Sequence, residues 1–275
     1  LKRDIVVDLD VMADKKTHFI PAKVVDRFAL NLEGMEVKPE DFQSALKILP
    51  KIGFSGVNVT LPHKEAALAT VDLADEKAWQ TGAVNTVIVK DNGILFGTNT
   101  DGFGFLENLR SELLGWRADL GPAVVLGAGG AARGVCAALL EEGVPEIRLV
   151  NRTKARANTL AADLGGSITV NSWGEREGVL EGAALLVNAT SLGMLGQEVL
   201  EIRLDLLPKS AAVCDIVYMP LETNLLGVSK ARGNDVVDGL GMLLHQARPG
   251  FEAWFGVAPE VNDSVRKFML ENLKS

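Results

Sequence analysis

A glycine turn placed between an apolar strand and a helix constrains the fold of this chain more than any other feature. Residues 123–126 form a continuous apolar run, and the sequence GAGGAA follows at 127–132, where a helical pattern begins. Gly127 permits a tight turn, Gly129 allows backbone to approach a pyrophosphate, and Ala132 lets the helix pack closely on the strand. Free N–H groups at the helix start would face the phosphates. The turn predicts a dinucleotide site, and a turn needed only for packing is the alternative.

Strands and helices alternate on both sides of this turn. Such a series is typical of a doubly wound parallel sheet. The predicted fold class is therefore α/β, with a Rossmann-type doubly wound parallel sheet for the dinucleotide and a second α/β domain for a substrate. Beyond the turn, strands are predicted at 147–150, 184–187, 211–216 and 235–237, and helices at 153–164 and 223–231.

The end of the second predicted strand bears on the choice of cofactor. An NAD site usually carries an acidic residue about 20 positions after the glycines, where it binds the ribose 2′-hydroxyl. Here Asn151, Arg152 and Thr153 occupy that place, followed by Lys154 and Arg156. A guanidinium can pair with a 2′-phosphate and stack on adenine, whereas a carboxylate would repel the phosphate. The sequence favours NADP over NAD, and solvated charges at a helix start are the alternative.

The length of 275 residues suits two domains. In the first hundred residues we predict a helix at 21–32, an amphipathic helix after Pro39 and a hairpin closed by an Asn-Gly turn. Two further helices end the chain. We therefore assign residues 1–101 and 239–275 to a substrate-binding, catalytic domain and residues 102–238 to an NADP-binding Rossmann domain. A ligand would lie in a cleft between them.

Composition excludes several classes of protein. The 28 Lys and Arg residues against 36 Asp and Glu leave little surplus for the basic face that nucleic-acid binders carry. The longest uncharged stretch, 182–197, contains Asn188 and Thr190, so it cannot span a bilayer. Cys136 and Cys214 lie in apolar surroundings and are predicted to be buried, which indicates a reducing, cytoplasmic compartment. No metal site is predicted.

Polar residues concentrate at the ends of strands in the first domain. They occupy 58–64, 85–86 and 98–101, where α/β proteins expose functional side chains. A carbonyl–alcohol redox reaction needs a hydride carrier and a group that handles the hydroxyl proton. Lys64 and Asp101 are the candidate pair for that proton. A surface charge for Lys64 and a helix N-cap for Asp101 are the alternatives; the adjacent His63 is interpreted as orienting its neighbours.

Eight ordered motifs resemble the shikimate dehydrogenase family. The resemblance implies an NADP-dependent oxidoreductase of two domains that interconverts 3-dehydroshikimate and shikimate, in the chorismate pathway of aromatic amino acid biosynthesis, or acts on a relative such as quinate. The motifs read NVTLPHK (58–64), GAVNTV (82–87), TNTDGFGF (98–105), VLGAGGAARG (125–134), NRT (151–153), NATSLGM (188–194), DIVYMP (215–220) and DGLGMLLHQA (238–247).

The resemblance also implies roles for individual residues. Lys64 and Asp101 would be the catalytic pair. Substrate hydroxyls would be bound by Asn58, Thr60, Asn85 and Gln246, with Tyr218 nearby. The dinucleotide would be held by Gly127, Ala128, Gly129, Gly130, Ala131, Asn151, Arg152 and Thr153, with Thr190, Met194 and Gly239 near the nicotinamide. Without the family, Met194 would be a packing residue and Gln246 a polar position on a helix.

One motif of the family is absent. Its substrate carboxylate is usually held by a Ser-x-Ser-Pro segment, and the corresponding segment here reads His18-Phe19-Ile20-Pro21. Each lost hydrogen bond to the carboxylate is worth about 1.5–3 kcal/mol. Three functions therefore stay open: a shikimate dehydrogenase of a divergent branch, a quinate or other ring-acid dehydrogenase with altered carboxylate recognition, and a non-catalytic NADP-binding sensor. The expected partner is a small hydroxy ring carboxylate, without nucleic acid or membrane, and a homodimer is left open.

Overall fold

The computed structural model describes residues 37–60 and 62–272, together with the backbone of five short strands among the first 36 residues. Those strands are β1 (Val6–Val7), β2 (His18–Ala22), β3 (Val24–Val25), β4 (Ala29–Leu32) and β5 (Met35–Glu36). Contacts within the chain divide it into two compact units. The first comprises Leu1–Thr100 and Ala247–Ser275, and the second Asp101–Gln246. The second boundary falls inside a long helix, whereas the sequence placed it before that helix.

The second unit contains a six-stranded parallel sheet. Its strands are β10 (Ala123–Leu126), β11 (Ile147–Asn151), β12 (Ile168–Ser172), β13 (Leu185–Asn188), β14 (Ala212–Asp215) and β15 (Val236–Val237). They lie in the order β12-β11-β10-β13-β14-β15, which is the doubly wound order with a switch point beside β10. The predicted Rossmann-type sheet is confirmed. The accompanying helices are α4 (Asp101–Glu112), α5 (Gly130–Glu141), α6 (Lys154–Leu164), α7 (Asn224–Arg232) and α8 (Gly239–Phe255), the last shared with the first unit.

Alternate residues of β10 pack into two separate cores. Ala123 and Val125 lie in one cluster with side chains of α4 and α5, whereas Val124 and Leu126 lie in the other. Successive side chains of a strand point to opposite faces of the sheet. Both faces are covered, so β10 has to be apolar throughout, and this explains why a continuous apolar run identifies the strand.

The first unit is built on a six-stranded mixed sheet in the order β5-β2-β6-β8-β9-β7. The strands β8 and β9 form the predicted antiparallel hairpin, and Gly93 in its turn has a φ of +81°. The strands not yet given are β6 (Gly56–Val59), β7 (Leu73–Ala74), β8 (Thr86–Val89) and β9 (Leu95–Thr98). The helices of this unit are α1 (Phe42–Ile48), α2 (Lys64–Thr70), α3 (Glu76–Thr81) and α9 (Asp263–Asn272). Short 3-10 helices occur at Leu49–Ile52, Ala118–Leu120, Trp173–Glu175 and Gly178–Leu180.

The carboxyl-terminal part of α8 packs on the sheet of the first unit. The indole Nε1 of Trp254 donates a hydrogen bond of 3.0 Å to the carbonyl oxygen of Val87 in β8. Gly56 in the neighbouring β6 makes room for this ring, because a Cβ there would collide with Nε1 of Trp254. Gly250 lies against Thr86 in a similar way. Residues from the end of the chain therefore complete the first unit.

The predicted helix at 21–32 is wrong. The described backbone in that range belongs to β2, β3 and β4, and β2 pairs antiparallel with β6, placing Ile20 opposite Asn58. The adjacent β-branched residues Val24 and Val25 favour a strand over a helix. The sequence also predicts a strand at 4–9, of which the structure describes Val6–Val7. The side chains of His18 and Ile20 lie outside the described residues, as does the effect of the absent serine motif.

Candidate functional site

The glycine turn lies at the carboxyl end of β10. Gly127 has a φ of +107°, a conformation that residues with side chains rarely adopt. A Cβ there would lie 2.6 Å from the carbonyl oxygen of Ala189, which follows β13. On the other side, the amide of Gly127 donates a hydrogen bond of 2.8 Å to the carbonyl oxygen of Val150 in β11. Both neighbouring strands approach this position closely, so only glycine fits it.

The next two glycines leave open space in front of α5. Gly129 is the N-cap of this helix, and no side chain in the described part of the chain caps it. A Cβ added at Gly129 or Gly130 would meet nothing within 4 Å, and both residues are exposed, whereas Ala128 and Ala131 beside them are half-buried. The first N–H groups of an α-helix lack partners within the helix and favour a negative charge. The turn therefore fits the phosphates of a dinucleotide.

The segment Asn151-Arg152-Thr153 lies at the end of β11, next to the glycine turn, because β11 pairs with β10. The side-chain amide of Asn151 donates a hydrogen bond of 2.9 Å to the carbonyl oxygen of Thr153, which fixes the segment. Arg152 and Thr153 are exposed, and Arg152 makes no ion pair with a residue of the described ranges. A guanidinium in this place is available to a phosphate on the adenosine ribose.

Two buried polar residues end the strands on the other side of β10. Asn188 and Asp215 are the last residues of β13 and β14, both are fully buried, and the Asn188 amide donates a hydrogen bond of 2.9 Å to Asp215 Oδ1. Thr190 donates to Asn188 Oδ1 from its amide (3.1 Å) and from its hydroxyl (2.7 Å). Thr190 is among the residues predicted from the sequence, whereas the roles of Asn188 and Asp215 were not predicted. Their signal is a polar residue directly after a buried apolar run.

Three more predicted residues follow the strands at this edge of the sheet, two on loops and one at the start of a helix. Tyr218 follows β14, and burial raises the pKa of its phenol to about 12, so the hydroxyl stays protonated and can donate a hydrogen bond. Met194 is 38% exposed, which argues against the alternative of a core packing residue. Gly239 begins α8 and is buried, and a Cβ there would collide with the carbonyl oxygen of Ile216. The loop after β14 thus approaches the start of α8 closely.

In the first unit, Asn85 joins the ends of three strands. Its Oδ1 accepts hydrogen bonds from the amide of Thr100 (2.9 Å) and from the hydroxyl of Thr86 (3.0 Å), and its backbone oxygen accepts one from Val59 (2.7 Å). Asn85 is 2% exposed. Its side chain therefore holds the segment that leads to Asp101. Two further predicted residues, Asn58 and Thr60, are half-buried at the end of β6.

Lys64 is the first residue of α2 and is half-buried. The residue before it, His63, is buried and is the N-cap of this helix. The His63 ring stacks on Phe42 with centroids 4.3 Å apart and an angle of 9°, and its Nε2 donates a hydrogen bond of 2.9 Å to the carbonyl oxygen of Val37. His63 is thus engaged by the protein on its face and at its edge. This geometry agrees with the interpretation that His63 orients its neighbours.

We expect His63→Ala to lower the free energy of unfolding by about 3 kcal/mol, since it removes a stacked, buried ring. His63→Phe keeps the stacking on Phe42 and loses only the hydrogen bond to Val37, which costs about 1 kcal/mol. Urea unfolding of the two variants beside the parent chain measures the difference. Equal losses for both variants would contradict a role of the ring in packing.

Asp101 and Gln246 belong to the second unit. Asp101 is the first residue of α4 and is 3% exposed. It packs against Gly134 in α5, where an added Cβ would lie 3.2 Å from the Cβ of Asp101. Gln246 on α8 is half-buried. A Cβ added to Gly104 in α4 would lie 2.8 Å from the backbone nitrogen of Gln246. The start of α4 is therefore fixed between α5 and α8. Because Lys64 lies in the first unit, its pairing with Asp101 stays a prediction.

Within 37–60 and 62–272, no group of three or more His, Cys, Asp or Glu side chains could hold a metal ion. Cys136 and Cys214 are free and buried, as predicted, and burial raises the pKa of the Cys136 thiol to about 12. None of the helices in this part of the chain is both long and apolar enough to cross a membrane.

Two family profiles match the chain, one in each half. The profile of the shikimate dehydrogenase substrate binding domain matches residues 24–87. The profile described as shikimate / quinate 5-dehydrogenase matches residues 117–219. The second match contains the glycine turn, the Arg152 segment and the buried pair of Asn188 and Asp215.

Relatives cover most of the chain. The shikimate dehydrogenase (NADP(+)) of Paramagnetospirillum magneticum is 57% identical over 236 residues, which is 86% of each chain, and that of Rhodospirillum rubrum is 58% identical over 86% of this chain and 85% of its own. Among solved structures, quinate dehydrogenase from Corynebacterium glutamicum in complex with NAD has a TM-score of 0.80 at 33% identity, covering 86% of this chain and 85% of its own. Shikimate 5-dehydrogenase from Thermus thermophilus in complex with NADP(H) and shikimate has a TM-score of 0.74 at 39% identity, with the same coverage. The chain therefore belongs to the shikimate dehydrogenase family.

Proposed function

We propose that this protein is an NADP-dependent shikimate dehydrogenase, which reversibly reduces 3-dehydroshikimate to shikimate. One observation carries the proposal: relatives that are 50–58% identical over 84–86% of the chain are named shikimate dehydrogenase (NADP(+)). The quinate dehydrogenase among the solved structures is less similar, at 33% identity. At identities above one half, the side chains that recognise a small polar substrate are more often retained than changed.

The dinucleotide, held by the glycine turn and Arg152, would supply the hydride chemistry: NADP(+) for oxidation of the alcohol carbon and NADPH for reduction of the carbonyl. In this proposal, residues of the protein transfer the hydroxyl proton and orient the ring of the substrate. Lys64 takes the hydroxyl proton during oxidation, or holds its ammonium beside the developing alkoxide, and Asp101 fixes the amine. Asn58, Thr60, Asn85, Tyr218 and Gln246 would bind the remaining hydroxyls of the ring. The Tyr218 phenol, protonated at neutral pH, acts as a donor.

In this proposal, residues that follow different strands of the sheet hold different parts of the dinucleotide. The open backbone at Gly129 and Gly130 would hold the pyrophosphate, and Arg152 would pair with the 2′-phosphate. Asn151 and Thr153 would shape the adenosine pocket, because their mutual hydrogen bond fixes the segment that carries Arg152. The loops that carry Thr190, Met194 and Gly239 would form the nicotinamide pocket.

We expect Arg152→Asp to weaken NADP binding by about ten- to a hundredfold, because it replaces a charge-assisted pair with a repulsion. NAD lacks the 2′-phosphate, so its affinity changes far less. Fluorescence titration with NADPH and NADH measures both affinities. Arg156→Asp, a second charge reversal at the same exposed helix start, is the matched control and is expected to change the NADPH to NADH ratio much less. Equal effects of the two substitutions would contradict a specific role for Arg152.

The second candidate function is a dehydrogenase of quinate or another ring acid. Two observations favour it: a quinate dehydrogenase is among the solved structures that the chain resembles, and the family's serines are replaced by His18 and Ile20 in this sequence. The test follows NADPH formation with shikimate and with quinate, each repeated with NAD. Turnover of shikimate with NADP at a higher kcat/KM than quinate supports the first function, and the reverse order supports the second. Tight NADPH binding with no turnover of either acid would favour the sensor.

We further propose that neither nucleic acid nor a membrane is a partner of this protein, that it works in the cytoplasm and that it can assemble as a homodimer. The acidic net charge of −8 supports the expectation that nucleic acid is not a partner. Size-exclusion chromatography with light scattering, with and without NADP, measures the assembly. A monomeric mass at all concentrations would rule the homodimer out.

A further inference from the structure

Asp215 is a carboxylate that the proposed reaction does not use, although it is fully buried at the end of β14. Its Oδ1 accepts hydrogen bonds from the Asn188 side chain (2.9 Å) and from the amide of Val217 (3.0 Å). Its Oδ2 accepts one from the hydroxyl of Thr223 (2.7 Å). All three donors are neutral, and no cation of the described residues pairs with it. The carboxylate is satisfied entirely by dipoles.

Asn188 extends this network to the loop after β13. Its Oδ1 accepts from both the amide and the hydroxyl of Thr190, and its amide also donates a hydrogen bond of 3.0 Å to the carbonyl oxygen of Leu192. The amide of Leu192 donates in turn to the Thr190 hydroxyl at 3.0 Å. The turn from 188 to 192 is therefore held by side chains rather than by a helix or a sheet.

The loop after β14 is held by the same carboxylate. Val217 donates its amide to Asp215, and the neighbouring Ile216 carbonyl lies so close to Gly239 that no side chain fits there. The two loops are also joined directly, since the amide of Leu195 donates a hydrogen bond of 2.8 Å to the carbonyl oxygen of Met219. We call Asp215, Asn188 and Thr223 the buried clamp.

Stability alone does not explain the buried clamp. A buried charge loses its hydration, and no cationic partner in the described part of the chain compensates for that loss here. Burial therefore raises the pKa of the Asp215 carboxyl, and the three hydrogen bonds, which lower the pKa, offset only part of this rise. Apolar side chains would fill such a site at less cost. Every loop the clamp fixes carries a residue assigned to the nicotinamide end of the cofactor or to the substrate: Thr190 and Met194 on one loop, Tyr218 on the other.

We propose that Asp215 is a positioning residue, which acts through Asn188 and Val217 to hold both loops as a fixed seat for the nicotinamide half of NADP. The inference rests on the proposed assignment of these loops to the cofactor. Its function is preorganisation: loops already ordered before binding do not lose conformational freedom when the nicotinamide arrives. The adenosine half, bound at Gly129 and Arg152, should not depend on the clamp.

Two ligands separate the halves of the cofactor. NADPH contains the nicotinamide, and 2′,5′-ADP contains only the adenosine with its phosphates. In Asp215→Ala we expect the Kd of NADPH to rise about tenfold or more while the Kd of 2′,5′-ADP changes by less than about twofold. Asp215→Asn keeps one oxygen for Asn188 and Val217 and should restore most of the NADPH affinity. Both are measured by calorimetry on the full chain.

Asn234 offers a matched control at the opposite end of β14. It is 5% exposed, and its amide donates hydrogen bonds of 2.9 Å to the carbonyl oxygens of Pro208 and Ala211. Asn234→Ala removes a buried polar side chain of similar size beside the same sheet. The ratio of the NADPH and 2′,5′-ADP dissociation constants is expected to stay as in the parent. If Asp215→Ala does not fold, Thr223→Val replaces it, with Thr223→Ser as the variant that keeps the hydroxyl.

The outcomes separate the inference from the proposed function. Equal changes for NADPH and 2′,5′-ADP in Asp215→Ala, no change for either, or the same shift in Asn234→Ala would overturn the positioning role. If the parent chain binds both ligands but turns over no ring acid, the proposed dehydrogenase activity is wrong. In that case the ratio of the NADPH and 2′,5′-ADP dissociation constants still tests the role of the buried clamp. A parent chain that binds neither ligand overturns both.

Discussion

Lys64→Ala is expected to lower kcat for shikimate oxidation by about 10²- to 10⁴-fold, the usual contribution of a group that handles a proton in the transition state. The loss has a physical reason besides proton transfer, since an ammonium beside a developing alkoxide stabilises the charge in a site shielded from water. NADP binding should stay nearly intact, because the glycine turn and Arg152 belong to the other unit. Initial rates and NADPH titration on the same preparation measure both quantities.

Lys77→Ala provides the control for this substitution. Lys77 is an exposed lysine on α3 of the same unit and is not one of the candidate site residues. Its replacement removes the same charge from the unit and is expected to leave kcat unchanged. Unchanged turnover in Lys64→Ala, or an equal loss in both variants, would remove Lys64 from the mechanism.

The second large effect is expected at the glycine turn. Gly127→Ala would put a Cβ 2.6 Å from the Ala189 carbonyl oxygen in a backbone conformation with φ of +107°. We expect the free energy of unfolding to fall by about 2–5 kcal/mol, the sum of backbone strain and overpacking. The molecules that remain folded should bind NADPH poorly, because the backbone proposed to bind the phosphates must shift to relieve the collision. Urea unfolding measures the stability, and titration measures the binding.

Gly130→Ala separates the two consequences. This residue begins α5, and an added Cβ meets nothing within 4 Å, so the stability should stay close to that of the parent or rise slightly. Its methyl group still stands in front of the helix start, where the pyrophosphate would lie, and NADPH binding should weaken. A similar loss of stability in both variants would show that the turn tolerates side chains equally at the two positions, contrary to the structure.

Local signals allowed part of the fold to be predicted. The strand at 123–126 has the predicted bounds, because a strand covered on both faces must be apolar throughout and two separate cores surround it. The hairpin around Gly93 was predicted correctly for a different reason: its turn needs a positive φ, and glycine is the residue that supplies it. In both cases the constraint acts within a few residues.

Other elements depend on partners distant in sequence. The residues at 18–22 form a strand that pairs with β6, and their own sequence lacks the alternation of apolar and polar residues that identifies a strand. The strand at 168–172 was missed because it lies at the edge of its sheet and is only partly buried, so it lacks an apolar run. Tertiary pairing decides such segments, and the sequence near them does not record it.

Some residues of the candidate site were predicted from the sequence and others were not. The glycines and Arg152 were identified because the turn chemistry and the charge are visible in the residues themselves. The buried clamp was not, because the partnership of Asn188 and Asp215 exists only once β13 and β14 lie side by side. Lys64 and Asp101 were paired from their positions at strand ends and from the resemblance, and their pairing remains a prediction.

The packing of Trp254 over Gly56 bears on the order in which the protein is completed during its synthesis. The second unit, Asp101–Gln246, is one uninterrupted stretch and can close as soon as it has left the ribosome. Most of the first unit is translated earlier, but it lacks the indole that bonds to Val87 until residue 254 has emerged. The sheet of the first unit therefore stays without this covering side chain until the whole of the second unit has been made.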